Sequence, residues 1–355
     1  MSVRRILVEP FRILSAALAL GAMAGGGVCA RAQSPIDIVH VNGPIYALIG
    51  AGGNVTASVG RDGVLLVDAG EERMSDALLA AIDSLRERAA EASKPEPKDW
   101  GAEGHSTVLD IRNPPPPPKP IRYIINTSAE PKRTGGNAKL SQSGRTYTGG
   151  NVAGTIGDAG EGAAIWAHED VLFRLVEEGA PFEQLPTDTY VGDGAKLGHF
   201  VNGNGVRLIH VPRAQSAGAT MVYFTRADVL VTGGFFSQAG YPVIDVAHGG
   251  SIDGVIDALN LVLDIAVPEF RTEGGTMIVP GDGRVSDSAD VGYYRDMLTI
   301  IRNNIQEMIN RGMSLAQIKA ERPTKAYDAR FGSDSGDWTT DMFVEAVYQS
   351  LIEGR

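Results

Sequence analysis

Residues 121–137 read IRYIINTSAEPKRTGGN, and this stretch decides the fold. Ile121 to Ile125 is an apolar, strand-like run that stops at Asn126-Thr127, and Thr134-Gly135-Gly136-Asn137 has the composition of a turn into a helix. The polar loop between them lies where a β/α unit keeps its chemistry. It carries Ser128, Glu130, Lys132 and Arg133, and no histidine.

Upstream, strand-like pieces at Ile45–Ile49, Asn54–Val59 and Val64–Val67 are separated by Gly50-Ala51-Gly52-Gly53 and Arg61-Asp62-Gly63. Asp68-Ala69-Gly70 stops the third, and Met74 to Ala92 places Leu78, Leu79, Ile82 and Leu85 on one helical face. Residues 94–120, with consecutive prolines at 114–118, read as an extended surface insertion, because the strand at Ile121 resumes the same alternation.

Downstream the order repeats in outline. Strands are expected at Thr189–Val191, Leu197–Val201, Val206–Val211, Thr220–Phe224 and Val229–Thr232, with Asn202-Gly203-Asn204-Gly205 as a hairpin turn. A helix follows over Ser251–Ile265 with Ser251 as its cap, then a short strand at Met277–Val279. Two helical stretches, Asp287–Arg311 and Thr339–Ile352, close the chain. Two β-then-α halves predict an α/β protein built as a four-layer αββα sandwich over residues 33–285, with a C-terminal helical extension over 286–355.

With 355 residues and 43% hydrophobic content the chain can bury a sizeable core. Its formal charge of -11 and the lack of a basic stripe argue against nucleic acid as a partner. Arg4-Arg5, an apolar run from Ile13 to Ala24 and Ala30-Arg31-Ala32 have the order of a secretory signal peptide covering residues 1–32. The expected location is therefore secreted or periplasmic. The single cysteine, Cys29, falls inside that leader, so the mature chain has neither a disulfide nor a thiolate ligand. No other run is apolar enough to span a bilayer.

Several segments in this order resemble the metallo-β-lactamase-fold hydrolases, in their secreted bacterial branch. They are NVTASVGRDGVLLVDAG (54–70), the strand and loop at 121–137, VRLIHVP (206–212), ADVLVTGGFF (227–236), YPVIDVAHGGSIDGVIDAL (241–259) and MIVPGDG (277–283). The resemblance implies a cleft at one edge of the paired sheets that holds one or two zinc ions. The family's His-x-His-x-Asp-His motif falls on the opening loop. Its histidines lie at Ser128, Glu130 and Arg133, and its aspartate lies at Lys132. The next histidine falls on Gln215, the bridging aspartate on Gly234, and the last histidine on Asp282. Every ligand position is changed, so no zinc and no other cofactor is expected there. Asp68 matches an aspartate that supports the metal loop by hydrogen bonding, here toward the backbone of residues 128–133.

Glu130 and Asp282 are able to ligate a hard cation, but Lys132 and Arg133 beside them repel it. Two readings stay open: an ion-pair cluster in place of the metal, or polar residues scattered in a solvated cavity. None of the six histidines pairs with another at the spacing of a metal motif, and His168 in WAHEDV reads as a structural residue at a helix start. His210 reads as a core or supporting residue, and Ser128 has no histidine nearby to act as its base. The expectation is a catalytically inactive protein with a ligand-binding or partner-regulating role, the partner being a small molecule or a protein such as an active paralogue. The alternative is a hydrolase of β-lactam, lactone or ester substrates that uses an atypical or metal-free site.

Overall fold

The computed structural model describes residues 36–93, 117–146, 162–269 and 274–353. The leader at 1–32 and nearly all of the insertion at 94–120 lie outside the described residues.

The first sheet has seven strands in sequential order, β1 (Asp37–Asn42), β2 (Ile45–Ile49), β3 (Val55–Gly60), β4 (Gly63–Val67), β5 (Ile121–Ile125), β6 (Ala164–His168) and β7 (Asp188–Tyr190). Pairing is antiparallel from β1 to β4 and parallel from β4 to β7. The second sheet runs β12-β11-β10-β9-β8, made of β8 (Gly194–Lys196), β9 (Val206–His210), β10 (Thr220–Phe224), β11 (Val229–Ser237) and β12 (Met277–Asp282). Only β11 and β12 are parallel there.

Alternation along the strands sorts the side chains into layers. On β4, Val64 and Leu66 join Leu78, Ile82 and Leu85 of α1 (Ser75–Ala92), whereas Leu65 and Val67 face the second sheet. On the opposing strands, Val222, Phe224, Val229 and Val231 meet them, while Met221 and Leu230 turn outward. The outward face is covered by α5 (Ile252–Ile265), α6 (Ser288–Asn310) and α9 (Thr340–Glu353). Because helices cover both outer faces, β4 and most of β11 are buried on both sides and read as continuous apolar runs. The layers are therefore αββα, and the C-terminal helices α6, α7 (Leu315–Glu321), α8 (Asp328–Phe331) and α9 belong to the outer layer of the second sheet. They share a core with α5 through Val291, Tyr294, Ile301, Phe343 and Val347.

Ser251 caps α5 by accepting from Gly254 N–H, as expected from its position. Residues 197–201 form no strand. The strand paired to β9 is the earlier β8, and Asn202 and Gly203 turn the chain at positive φ of 50° and 79° so that Val201 pairs with Asn204. Besides β8, two strands escaped the sequence pattern. The edge strand β1 is mostly exposed, and β6 has too few residues for a periodic signal.

Candidate functional site

Every strand of the parallel half of the first sheet ends at the same edge, and the loop after β5 stands at that edge beside the end of β4. Asp68 closes β4 at φ 66°, a conformation rare for a residue with a Cβ. Its backbone N–H donates to Ile125 O at 2.8 Å, and its carboxylate accepts from Thr127 N–H at 2.8 Å and Thr127 Oγ1 at 2.9 Å. Support thus goes to Thr127, at the mouth of the loop, and not to the backbone of 128–133. The far end is tied by Asn126 Nδ2 and Ala69 N–H, which both donate to Arg133 O, and by paired side-chain bonds between Asn126 and Asn137.

Inside this frame, α2 (Pro131–Thr134) aims Arg133 into the protein, where its side chain is 1% exposed. Its guanidinium lies 3.3 Å from Asp282, 3.7 Å from Asp68 and 3.8 Å from Glu130, and one of its amino groups donates to Gly281 O at 3.0 Å. Gly53 and Gly281 make the room, since a Cβ at either would collide with the guanidinium. Asn54 fixes the loop after β12 by donating to Pro280 O and Gly283 O. The three carboxylates come from three separate segments, after β4, after β5 and at the end of β12, and one fixed cation draws them together.

Burial pushes the Asp68 carboxyl up to about 6, against the pull of Arg133. Burial also raises Glu130, again opposed by Arg133 and by the nearby Gln215 amide. That amide approaches Glu130 without a hydrogen bond of full geometry. Arg133 is penalised by burial, but Asp68, Asp282 and Glu130 outweigh the penalty and hold it above its ordinary range. The residues do not fit a zinc centre. The two carboxylate donors, Glu130 and Asp282, are already engaged with a guanidinium that fills the space between them.

The remaining expected positions divide into two sets. Glu130, Lys132, Arg133, Gly234 and Asp282 line a cavity of about 900 Å³. Ser128 is fully buried with only Glu130 N–H near its hydroxyl, at 3.5 Å, and Gln215 is buried with its side-chain oxygen against Gly234. Ser128 and Gln215 therefore lie beneath the cavity, and among the described residues no histidine or lysine makes a hydrogen bond to Ser128. The opposite wall is one the sequence reading missed: Trp338, and Met342, Glu345, Ala346 and Gln349 of α9, with Val243 to Val246 at the side. The only signal for it was the amphipathic pattern of the last helix, which does not say what that helix covers. Lys132 makes no hydrogen bond or ion pair of its own among the described residues. The indole N–H of Trp338 is likewise buried without an acceptor. Both line this cavity and the smaller one beside it.

His168 sits outside this cavity. It caps α4 (Glu169–Glu177) by accepting from Asp170 N–H at 3.3 Å, which is the helix-start role expected of it. The fold nevertheless brings together two histidines that no metal-motif spacing joins in the sequence. The rings of His168 and His210 stack with centroids 3.9 Å apart and planes 16° from parallel, and Tyr190 meets His168 edge-on. Burial, and then the His210 imidazole, hold His168 below the usual histidine range, so it is neutral at pH 7. With Asp170 the two histidines bring three potential ligand atoms within 4.8 Å of one another. An expectation of no metal anywhere in the chain has no support from this group.

No protein-family model matches the sequence, and no curated protein is significantly similar to it. Solved structures are. A double mutant of the sec-alkyl sulfatase PisA1 superposes with a TM-score of 0.56 at 14% identity, over 88% of this chain and 50% of the sulfatase chain. The DIM-1 metallo-β-lactamase matches at 0.48 and 14% identity, over 74% of this chain and 97% of its own. A metallo-β-lactamase from Pontibacter korlensis matches at 0.49 and 12%, over 74% and 99%. Among the described residues, no helix is long and apolar enough to cross a membrane.

Proposed function

We propose that this chain, whose fold is that of the metallo-β-lactamases, is a non-hydrolytic ligand-binding protein. In it an ion-pair cluster stands where the fold's hydrolases hold zinc. One observation carries the reading: the Arg133 guanidinium, 1% exposed, lies 3.3–3.8 Å from Asp282, Asp68 and Glu130. A fixed cation in this position neutralises the carboxylates as a metal would, but it has no empty orbital to polarise a carbonyl and cannot generate hydroxide.

What remains is a cavity of about 900 Å³, within the size range of small-molecule sites, whose lining mixes the apolar Val243, Ile244, Met342 and Ala346 with charged side chains of both signs. Lys132, which lines the cavity and makes no hydrogen bond or ion pair among the described residues, favours an occupant with an apolar body and a carboxylate or sulfonate oxygen. The protein is proposed to act after export, as a mature chain beginning near Gln33.

The test is made on the purified exported protein. β-Lactam, lactone and ester substrates are expected to survive incubation. Long-chain carboxylates are expected to quench Trp338 fluorescence and raise the melting temperature, and both effects should be lost in Lys132→Met. Turnover that disappears in Glu130→Gln or Asp282→Asn would make the hydrolase reading correct instead.

A further inference from the structure

We propose that His168, Asp170 and His210 form a binding site for a transition-metal ion, separate from the cleft and linking the edges of the two sheets. His168 is the last residue of β6 in the first sheet, and His210 is the last residue of β9 in the second. Asp170 lies in the first turn of α4. The site is therefore assembled by tertiary structure alone, across the seam between layers.

The first argument is a conflict at His168 Nδ1. This nitrogen lies 3.3 Å from Asp170 N–H, an approach that requires its lone pair. It also lies 3.2 Å from Asp170 Oδ2, an approach that would require a proton. A cation between Nδ1 and the carboxylate would take that lone pair and give the Asp170 oxygen a positive partner, at the cost of releasing Asp170 N–H from the cap. The separation also suits a shared ion, because two donors about 2.1 Å from zinc at a tetrahedral angle are about 3.4 Å apart.

The second argument concerns the far side of the other ring. His210 Nε2 is 2.6 Å from Ala217 O, and a carbonyl can only accept. The proton is thus on Nε2, and Nδ1 keeps its lone pair for a ligand. A ring N–H held by a backbone carbonyl is the usual support for a metal-bound histidine. Access comes through Asp170, whose side chain is 40% exposed and lines a cavity of about 340 Å³ together with Ala217. Three protein donors would leave a fourth position for water. Two imidazoles and one carboxylate suit zinc, nickel or copper better than calcium or magnesium. Lone pairs lie in the ring planes, so the near-parallel rings must tilt apart to share an ion, and this gives the site a spectroscopic signature.

The test uses the full exported chain, stripped with chelator and titrated with zinc by calorimetry, with histidine side-chain NMR read in parallel. One equivalent is expected to bind with micromolar or tighter affinity, shifting the His168 and His210 resonances together. Asp170→Asn keeps the shape of the site and should weaken binding about 10-fold or more, as should His210→Gln. Glu130→Gln, in the cleft, should leave the titration unchanged. No uptake by the wild type, or equal uptake by Asp170→Asn and His210→Gln, would overturn the assignment. Loss of binding only in Glu130→Gln would place the metal in the cleft and count against the function proposed above as well.

Discussion

Arg133 governs the chemistry of the cleft, and its removal is the most direct probe. Arg133→Met leaves Asp68, Glu130 and Asp282 facing one another without a cation. Breaking a buried pair in this way costs about 3–5 kcal/mol at neutral pH. Protonation relieves the repulsion, so the loss should be clearly smaller at acid pH, as read from urea midpoints across the range. Asp68 gives the wild type a pH dependence of its own. Its folded value of about 6 lies above the ordinary carboxyl value of 3.8, so between them the native state holds the proton more firmly than the unfolded chain. The stability linked to this group is complete below the lower value and is lost as pH rises through the higher one. Asp68→Asn should therefore flatten the stability profile over that interval relative to wild type. A profile of unchanged slope would show that Asp68 does not titrate there.

At the scale of elements, the loops that would hold metal keep their backbone supports. Asp68 with Thr127, Asn126 with Arg133 and Asn137, and Asn54 with the loop after β12 all make their bonds without an ion. Changing Ser128, Glu130 and Arg133 to His, with Lys132→Asp, Gln215→His, Gly234→Asp and Asp282→His, should create zinc binding in the cleft. The order of substitution matters. A Cβ at Gly234 collides with the Gln215 side-chain oxygen, so Gly234→Asp alone should destabilise the protein, and Gln215→His in the same chain should recover part of the loss. Differential scanning calorimetry of the two single variants and the double variant measures this coupling. Additive effects would mean that Gln215 moves aside at no cost.

For the whole molecule, the last helix is both core and pocket wall. Phe343, Val344, Val347 and Leu351 of α9 are buried against α5 and α6, while Met342, Glu345 and Gln349 face the cavity. Truncation before Thr340 removes four large buried apolar side chains and uncovers the faces of α5 and α6 that they pack on, a loss of about 1.5–3 kcal/mol for each. That sum is comparable with a whole folding margin of about 5–15 kcal/mol. The truncated chain is expected to expose hydrophobic surface, seen by dye binding and loss of the near-ultraviolet dichroism; a folded product with only an opened cleft would contradict this. The sequence by itself determined the layer order, most strands and helices, the cap at Ser251 and the absence of histidine from the loop at 128–133. Alternation, helical periodicity, turn residues and side-chain chemistry are local properties, legible along the chain. It did not determine that Arg133 turns inward to meet Asp68 and Asp282, that α9 roofs the cavity, or that His168 stacks on His210. Those partners lie 65, 149 and 42 positions apart or more, and only closure of two sheets around a shared core sets their distance. A charged loop read without its neighbours is as compatible with a solvated surface as with a buried ion cluster. The difference is decided by which loops the tertiary fold brings beside it and by how much water it excludes.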